Sequence, residues 1–137
     1  MCLGTLCFTN SSYASAIILI CRMENGDLHR MTFDERARSI NGHQEGDGVT
    51  DDGFGKFMGQ ETNRYRRYRV SISNKSIQAY DGIEDVIAGG ARIYTSSTDI
   101  NINRANGAIF MRVHDALLNG IQVTEGRCQT DQGKSSF

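Results

Sequence analysis

Asn63 to Ser73 reads N-R-Y-R-R-Y-R-V-S-I-S, in which four arginines and two tyrosines lead directly into alternating apolar residues. Successive side chains of a strand point to opposite faces of a sheet. One face would carry Arg64, Arg66, Tyr68, Val70 and Ile72, and the other Tyr65, Arg67, Arg69, Ser71 and Ser73. The pattern predicts a strand, here called the arginine strand, with one face that enters a core and one face that stays cationic.

Arginine beside exposed tyrosine suits RNA binding. Guanidinium groups chelate phosphate oxygens, and phenol rings stack on unpaired bases. A second long strand is expected within residues 91–102, which are rich in Thr, Ser, Ile and Tyr. The predicted RNA-binding residues are Arg64, Tyr65, Arg67, Arg69, Ser71, Arg92 and Tyr94. The alternative is a solvated sheet face that binds no ligand.

The composition is that of one globular domain. The chain has 137 residues, 39% of them apolar and 23% charged. A chain of this length is expected to form a single domain over 1–137. Because it contains no apolar run long enough to span a bilayer, we expect no membrane contact. Because the formal net charge is -1, RNA binding would depend on a local patch rather than on the whole-protein field.

The four cysteines, Cys2, Cys7, Cys21 and Cys128, show no CxxC spacing, and no histidine lies at a zinc-finger interval from them. The first 22 residues lack the basic start and small-residue exit of a signal peptide. We therefore expect free thiols, a reducing cytoplasmic compartment, and no metal or other cofactor.

Before the arginine strand, the sequence predicts a β-hairpin and then a loop. Residues 16–21 are apolar and largely β-branched, and Asn25-Gly26 after them favours a type I′ turn. Residues 1–15 precede this hairpin as an extension. Residues 43–60 are rich in glycine and carboxylates, do not fit an EF-hand, and are expected to form a flexible acidic loop.

After the arginine strand, helical spacing appears twice. Residues 77–89 show it around Gly82, so a helix and a long hairpin loop both stay open. Residues 105–119 predict an α-helix that ends at Asn119-Gly120. The predicted class is therefore α+β, an antiparallel sheet with a C-terminal helix packed on one face or on a partner subunit. The predicted oligomer interface is Ile109, Phe110, Val113, Leu117 and Leu118.

No catalytic motif is present in the sequence. Serine is plentiful, but G-x-S-x-G is missing, and His29, His43 and His114 lie in unrelated contexts. Cys21 lies in an apolar run, where a thiol more often packs than reacts. We expect neither enzymatic activity nor a small-molecule substrate.

The order of hairpin, glycine-rich middle, long strands and C-terminal helix resembles the coat proteins of single-stranded RNA bacteriophages. The segments that carry this likeness are the arginine strand, A-R-I-Y-T-S-S-T-D-I-N-I from Ala91, and A-I-F-M-R-V-H-D-A-L-L-N-G from Ala108. The resemblance implies a homodimer clasped by C-terminal helices, an inner sheet face that binds an RNA hairpin, and assembly into the shell of a virion.

A second resemblance concerns Asp85 to Gly89, D-V-I-A-G, which is similar to the Q-x-V-x-G loop of cystatins. It implies an inhibitor of papain-like cysteine proteases. Aspartate replaces the glutamine, and the chain has no tryptophan for the second loop. Such an inhibitor, or another small protein-interaction domain, is the alternative function.

Overall fold

The computed structural model of the chain describes residues 16–117 and 120–137. Within these ranges the protein is all-β, so the predicted α+β class is wrong. The strands are β1 (Ile17–Met23), β2 (Leu28–Asp34), β3 (Ser39–Ile40), β4 (His43–Gln44), β5 (Gly46–Phe57), β6 (Gln60–Ile72), β7 (Ser76–Val86), β8 (Arg92–Asn103), β9 (Ala108–Asp115) and β10 (Gly120–Thr130). No helix long and apolar enough to cross a membrane occurs in the two ranges.

The ten strands form one antiparallel sheet that nearly closes into a barrel. Neighbours follow the order β4-β3-β2-β1-β10-β9-β8-β7-β6-β5, so β1 pairs with β10. The two sheet edges meet where the β3–β4 hairpin lies against the end of β6. There the Arg38 guanidinium donates to the carbonyl oxygen of Ile72, and the Ile72 N–H donates to Glu45 Oε1 at 3.4 Å.

The N-terminal hairpin is confirmed, although its turn differs in type. β1 and β2 pair from Ile17–Phe33 to Arg22–Leu28, on either side of Asn25-Gly26. A type I′ turn needs positive φ at both central residues, whereas only Gly26 has it here, at +93°. The Gly26 N–H donates to the Met23 carbonyl oxygen at 3.0 Å.

Most of residues 43–60 are strand, so the prediction of a flexible acidic loop is wrong. β5 pairs with the arginine strand from Gly46–Val70 to Phe57–Gln60. The register places a row of small residues on the inner face of β5: Gly46, Gly48, Thr50, Gly53 and Gly55. A Cβ at Gly48 would lie only 2.0 Å from Cζ of Tyr68. Glycine here makes room for a large neighbour rather than giving flexibility.

The predicted C-terminal helix is replaced by two strands. β9 pairs with β8 on one side and with β10 on the other. Ile109 and Met111 are buried, whereas Phe110 between them is exposed. Residues four apart, such as Ile109 and Val113, share a face in a strand as well as in a helix, so this spacing does not separate the two.

Residues 77–89, left open between helix and hairpin loop, are mainly strand β7, which pairs with β6 and β8. Gly82 fits because it makes room for a neighbouring ring. A Cβ at Gly82 would lie 2.4 Å from the Tyr80 hydroxyl, since both residues face outward. The arginine strand and the strand expected within 91–102 are both confirmed, as β6 and β8.

One end of the barrel interior is apolar. Leu19, Phe33, Ile77 and Ile102 are fully or almost fully buried there, and Phe137 packs on Phe33 with 6.4 Å between ring centroids. The Arg104 guanidinium lies 5.1 Å over the Phe33 ring and donates to the Phe137 carbonyl oxygen at 2.8 Å. This apolar end forms the floor of the interior.

A disulfide joins Cys21 of β1 to Cys128 of β10, which face each other across the β1–β10 strand pair inside the sheet. The expectation of free thiols is therefore wrong for these two residues. Cys2 and Cys7 lie outside the described residues, as does the predicted extension 1–15.

Candidate ligand-binding interior and outer basic face

The interior of the barrel changes from apolar to polar along each strand. On β6 the inward row runs from Ile72 and Val70 to Tyr68, Arg66 and Arg64, as the alternation of the arginine strand predicts. β7 and β8 follow the same order, from Ile77 and Ile102 to Asp85 and Tyr94. Polar side chains inside a barrel need hydrogen-bond partners. The polar part of this interior, above the apolar floor, is therefore the candidate site.

A cavity of about 380 Å³ lies between the apolar floor and the polar end. Apolar side chains that line it include Met31, Ile40, Val70, Ala79, Ile100 and Met111. Its polar lining comes from His29, Arg30, Asn41, His43, Tyr80, Asp81 and Thr98. The volume falls within the range of roughly 300–1,000 Å³ typical of small-molecule pockets.

Two buried polar atoms of the cavity lining, His29 Nε2 and Asp81 Oδ1, have no hydrogen-bond partner among the described residues. Three further inward-facing residues have such an atom: Thr62 and Thr124 at Oγ1, and Arg66 at Nε. A buried polar group without a partner costs about 1–3 kcal/mol, and most are paired in native proteins. The interior therefore holds unused hydrogen-bonding capacity at defined positions.

Arg66 is the nearest cation to Asp81, but the two are not hydrogen-bonded. Arg66 Nη1 lies 3.9 Å from Asp81 Oδ2, and Arg66 Nε lies 3.6 Å from Asp52 Oδ2. One guanidinium thus lies between two carboxylates. The Asp81 side chain is 46% exposed, so solvent as well as Arg66 compensates its charge, whereas its Oδ1 atom is buried.

His43 and Tyr68 form an aromatic wall. Their rings stack with 4.5 Å between centroids and 27° between planes. The Tyr68 ring lies over Gly48, where a side chain would displace it. This wall joins the β3–β4 hairpin to β6 at the place where the sheet edges meet.

Arg64 and Asp85 form a two-point ion pair at the polar end. Arg64 Nε and Nη2 donate to the two Asp85 carboxylate oxygens at 2.7 and 2.8 Å, and Asp85 has no exposed surface. The hydrogen bond from Arg64 lowers the pKa of Asp85, and the same bond raises the pKa of Arg64. Arg64 is therefore engaged inside the barrel rather than on an RNA-binding face.

Tyr94, the other inward residue of the predicted RNA-binding set, lies at the same end. Its hydroxyl donates to Asp115 Oδ2 at 3.3 Å, and its ring stacks on Phe57 at 5.4 Å. Tyr94 pairs in register with Asp85, which places both in the interior.

The remaining predicted RNA-binding residues face outward, where carboxylates pair with the arginines. Arg67 Nε lies 3.2 Å from Glu84, Arg69 Nε lies 2.9 Å from Asp47, and Arg92 Nη1 lies 3.6 Å from Glu84. Tyr65 and Ser71 share the outer face of β6 with Arg67 and Arg69. These ion pairs make the outer face less cationic than the arginine strand suggests, although Arg69 stays 72% exposed.

A hollow of about 430 Å³ lies on the outer wall beside this face. It brings Arg69 and Ser71 together with Tyr80, Phe110 and Arg112, and Asp99 also lines it. Tyr80, Phe110 and Arg112 come from β7 and β9. Phe110 belongs to the predicted oligomer interface, and none of the three belongs to the predicted RNA-binding set. Their grouping depends on strand register.

The residues of the predicted oligomer interface are divided between the interior and the outer surface of the barrel. Ile109 and Val113 face inward, whereas Phe110 and Leu117 are exposed, and Leu118 lies outside the described residues. Some apolar side chains outside the predicted interface are more exposed than Phe110 and Leu117, and Phe54 is the most exposed of them at 93%.

No group of three or more His, Cys, Asp or Glu side chains suited to a metal occurs within 16–117 and 120–137. The cystatin-like residues begin inside the barrel, because Asp85 is buried against Arg64, and continue into the turn after β7. Comparison with protein-family models, curated proteins and solved structures gives no match. The geometry of the barrel therefore supplies the evidence on function.

Proposed function

We propose that this protein is a binding protein that holds one small molecule inside the barrel. The observation that carries the proposal is the pair of unpartnered buried atoms, His29 Nε2 and Asp81 Oδ1, on the wall of a cavity with an apolar floor. A bound molecule that places polar atoms against them would satisfy both. The same molecule would cover the apolar lining.

The dimensions of the barrel support this proposal. Eight of the strands have seven residues or more, and the other two have two residues each. An eight-stranded barrel leaves an interior that is either filled by side chains or holds one small ligand. A water molecule, with its single non-hydrogen atom, takes about 30 Å³ of liquid volume. On this measure the 380 Å³ cavity has room for roughly a dozen non-hydrogen atoms.

The disulfide supports a proposal about the compartment. Cys21–Cys128 is buried within the β1–β10 strand pair, and structural disulfides of this kind persist mainly in oxidising compartments. We therefore favour secretion or an equivalent oxidising location over the cytoplasm. The virion stays a prediction tied to the coat-protein resemblance.

The test is to fill the cavity from its own wall. Ala79→Phe adds a ring to the inner face of β7, and Gln78→Phe adds the same ring to the outer face one residue earlier. Saturation-transfer NMR with 2-phenylethanol should detect binding to the wild type and to Gln78→Phe. It should detect none to Ala79→Phe, provided that far-ultraviolet circular dichroism shows a folded protein. Equal binding by both variants would contradict an interior site.

A second candidate function, RNA binding in a self-assembling coat protein, is favoured by the outer hollow. Arginines and aromatic rings lie together there, as single-stranded RNA binding requires. The clasp by C-terminal helices is not part of this candidate, because β9 and β10 occupy that sequence. Homodimer formation and shell assembly stay predictions.

Substitution of Arg69 and Arg112 tests the RNA candidate. Arg69→Ala/Arg112→Ala should weaken binding of single-stranded RNA and lower its salt dependence by about 0.7–0.9 log units per lost phosphate contact. Arg30→Ala/Arg127→Ala removes the same charge from other strands and serves as the control. Filter-binding titrations in which both double variants behave alike would argue against RNA recognition by this face.

A further inference from the structure

We infer that the molecule bound in the interior is an organic amine, with an apolar or aromatic body and a protonated amino group that pairs with Asp81. This inference rests on the proposed function and adds the chemical class of the ligand. It follows from the balance of charge around Asp81, from the acceptors near it, and from the shape of the cavity.

The charge balance favours a cation. Asp52 and Asp81 share Arg66, and neither distance, 3.6 Å or 3.9 Å, belongs to a hydrogen bond in the structure. Arg64, the other inward arginine of β6, donates from Nε and Nη2 to Asp85. Two carboxylates thus share one guanidinium at this position. Arg30 also lines the cavity, but no ion pair joins it to Asp81 among the described residues. An ammonium group would be attracted to this position, whereas a carboxylate or phosphate would be repelled.

The hydrogen-bonding groups also suit an ammonium group. A primary ammonium donates three hydrogen bonds and accepts none. Asp81 Oδ1 is an unpartnered acceptor, and Thr98, directly opposite Asp81 in β8, contributes a hydroxyl to the same lining. His29 Nε2, across the cavity on β2, accepts in the tautomer that carries its proton on Nδ1.

The remaining lining defines the body of the ligand. Val70, Ala79, Ile100 and Met111 form an apolar surface below the polar groups. His43, stacked on Tyr68, adds the face or edge of an aromatic ring to one side. The volume accommodates roughly a dozen non-hydrogen atoms, so an arylalkylamine fits.

Three matched probes separate charge from shape. The measurement is isothermal titration calorimetry of the folded wild-type protein with 2-phenylethylamine, 2-phenylethanol and phenylacetate at pH 7. The amine should bind about ten- to a hundredfold more tightly than the alcohol, because a hydrogen bond to a charged group is stronger than a neutral one. Phenylacetate should bind most weakly.

Asp81→Asn tests the residue itself, and Asp99→Asn is its matched control. Asp99 lies on β8 but faces outward opposite Arg112, so its substitution removes the same net charge from outside the cavity. Asp81→Asn should reduce the affinity for the amine to that for the alcohol, with little change for the alcohol. Asp99→Asn should leave the preference for the amine intact.

The outcomes distinguish the inference from the proposed function. If the amine binds no more tightly than the alcohol, or if Asp81→Asn and Asp99→Asn behave alike, the amine assignment is wrong. Loss of alcohol binding in Ala79→Phe would then still support an interior site. If wild type and Ala79→Phe respond identically to all three probes, the proposed function fails together with the inference. The comparison of probes on the wild type holds even if Asp81→Asn does not fold.

Discussion

Arg64 and Asp85 show how one pair of residues links stability to pH. Asp85 has no exposed surface, and its only ion-pair partner within the described ranges is Arg64, which is 39% exposed. Breaking a buried pair by removing one partner typically costs about 3–5 kcal/mol, because the other charge is left buried. Solvent screens part of the Arg64 charge, so the low end of that range applies.

We expect Arg64→Met to destabilise the protein by about 3 kcal/mol at pH 7 in urea unfolding. Asp85 is left charged and buried in this variant, which makes that charge unfavourable. Arg64→Met/Asp85→Leu should recover part of the loss, because both charges are then gone. Arg69→Met is the control, since Arg69 and Asp47 are both well exposed and such pairs contribute about 1 kcal/mol or less.

The same pair should make stability depend on acid. The pKa of Asp85 in the folded state lies below its ordinary value of 3.8. Its contribution is therefore fully present above that value and is lost as the pH falls through the folded-state pKa. The difference in free energy of unfolding between wild type and Arg64→Met should shrink from pH 7 to pH 3. A difference that stays constant would show that the pair does not titrate as described.

At the level of strands, alternation was predictable from the sequence where apolar and polar residues separated cleanly. The two faces of the arginine strand are those expected from its period of two, from Arg64 to Ile72 inside and from Tyr65 to Ser71 outside. The N-terminal hairpin was predictable for the same reason, with a turn dipeptide between two apolar runs. Local pattern was sufficient for these strands.

The other strands depended on partners that are distant in sequence. β5 lacks alternating apolar residues because its inner row is mostly glycine, and those glycines have meaning only beside Tyr68 and the rest of β6. β9 carries apolar residues at spacings that fit a helix as well as a strand. Its pairing with β8 and β10 decides between the two, and pairing is a long-range property.

The site was missed for a related reason. His29, Asp81 and Thr98 belong to three strands, β2, β7 and β8, and lie in no common motif. The available signal was weak: Asp81 stands at an inward position of β7, opposite the inward Tyr68 of β6. Recognising it requires knowing that 77–86 is strand, which the helical spacing of the sequence concealed.

Across the whole molecule, the pairing of β1 with β10 joins the two ends of the described chain. β1 pairs with β10, and this pairing brings together residues more than one hundred positions apart, with Cys21 and Cys128 separated by 107. Long-range pairing carries a loop-closure cost that local hairpins avoid. A covalent link between β1 and β10 reduces that cost by restricting the unfolded chain, and the gain grows with loop length.

Reduction of the disulfide should therefore lower stability substantially. The wild-type protein is unfolded, reduced and refolded in the presence of reductant. For a loop of this length we expect the free energy of unfolding to fall by about 2–5 kcal/mol, which lowers the melting temperature by on the order of 10 °C. Cys21→Ala/Cys128→Ala should melt at a reduced temperature whether or not reductant is present, which controls for Cys2 and Cys7. Differential scanning calorimetry with and without reductant makes the comparison. If the wild type melts at the same temperature under both conditions, the bridge does not stabilise the β1–β10 pair in solution, and the barrel would then depend on strand pairing alone.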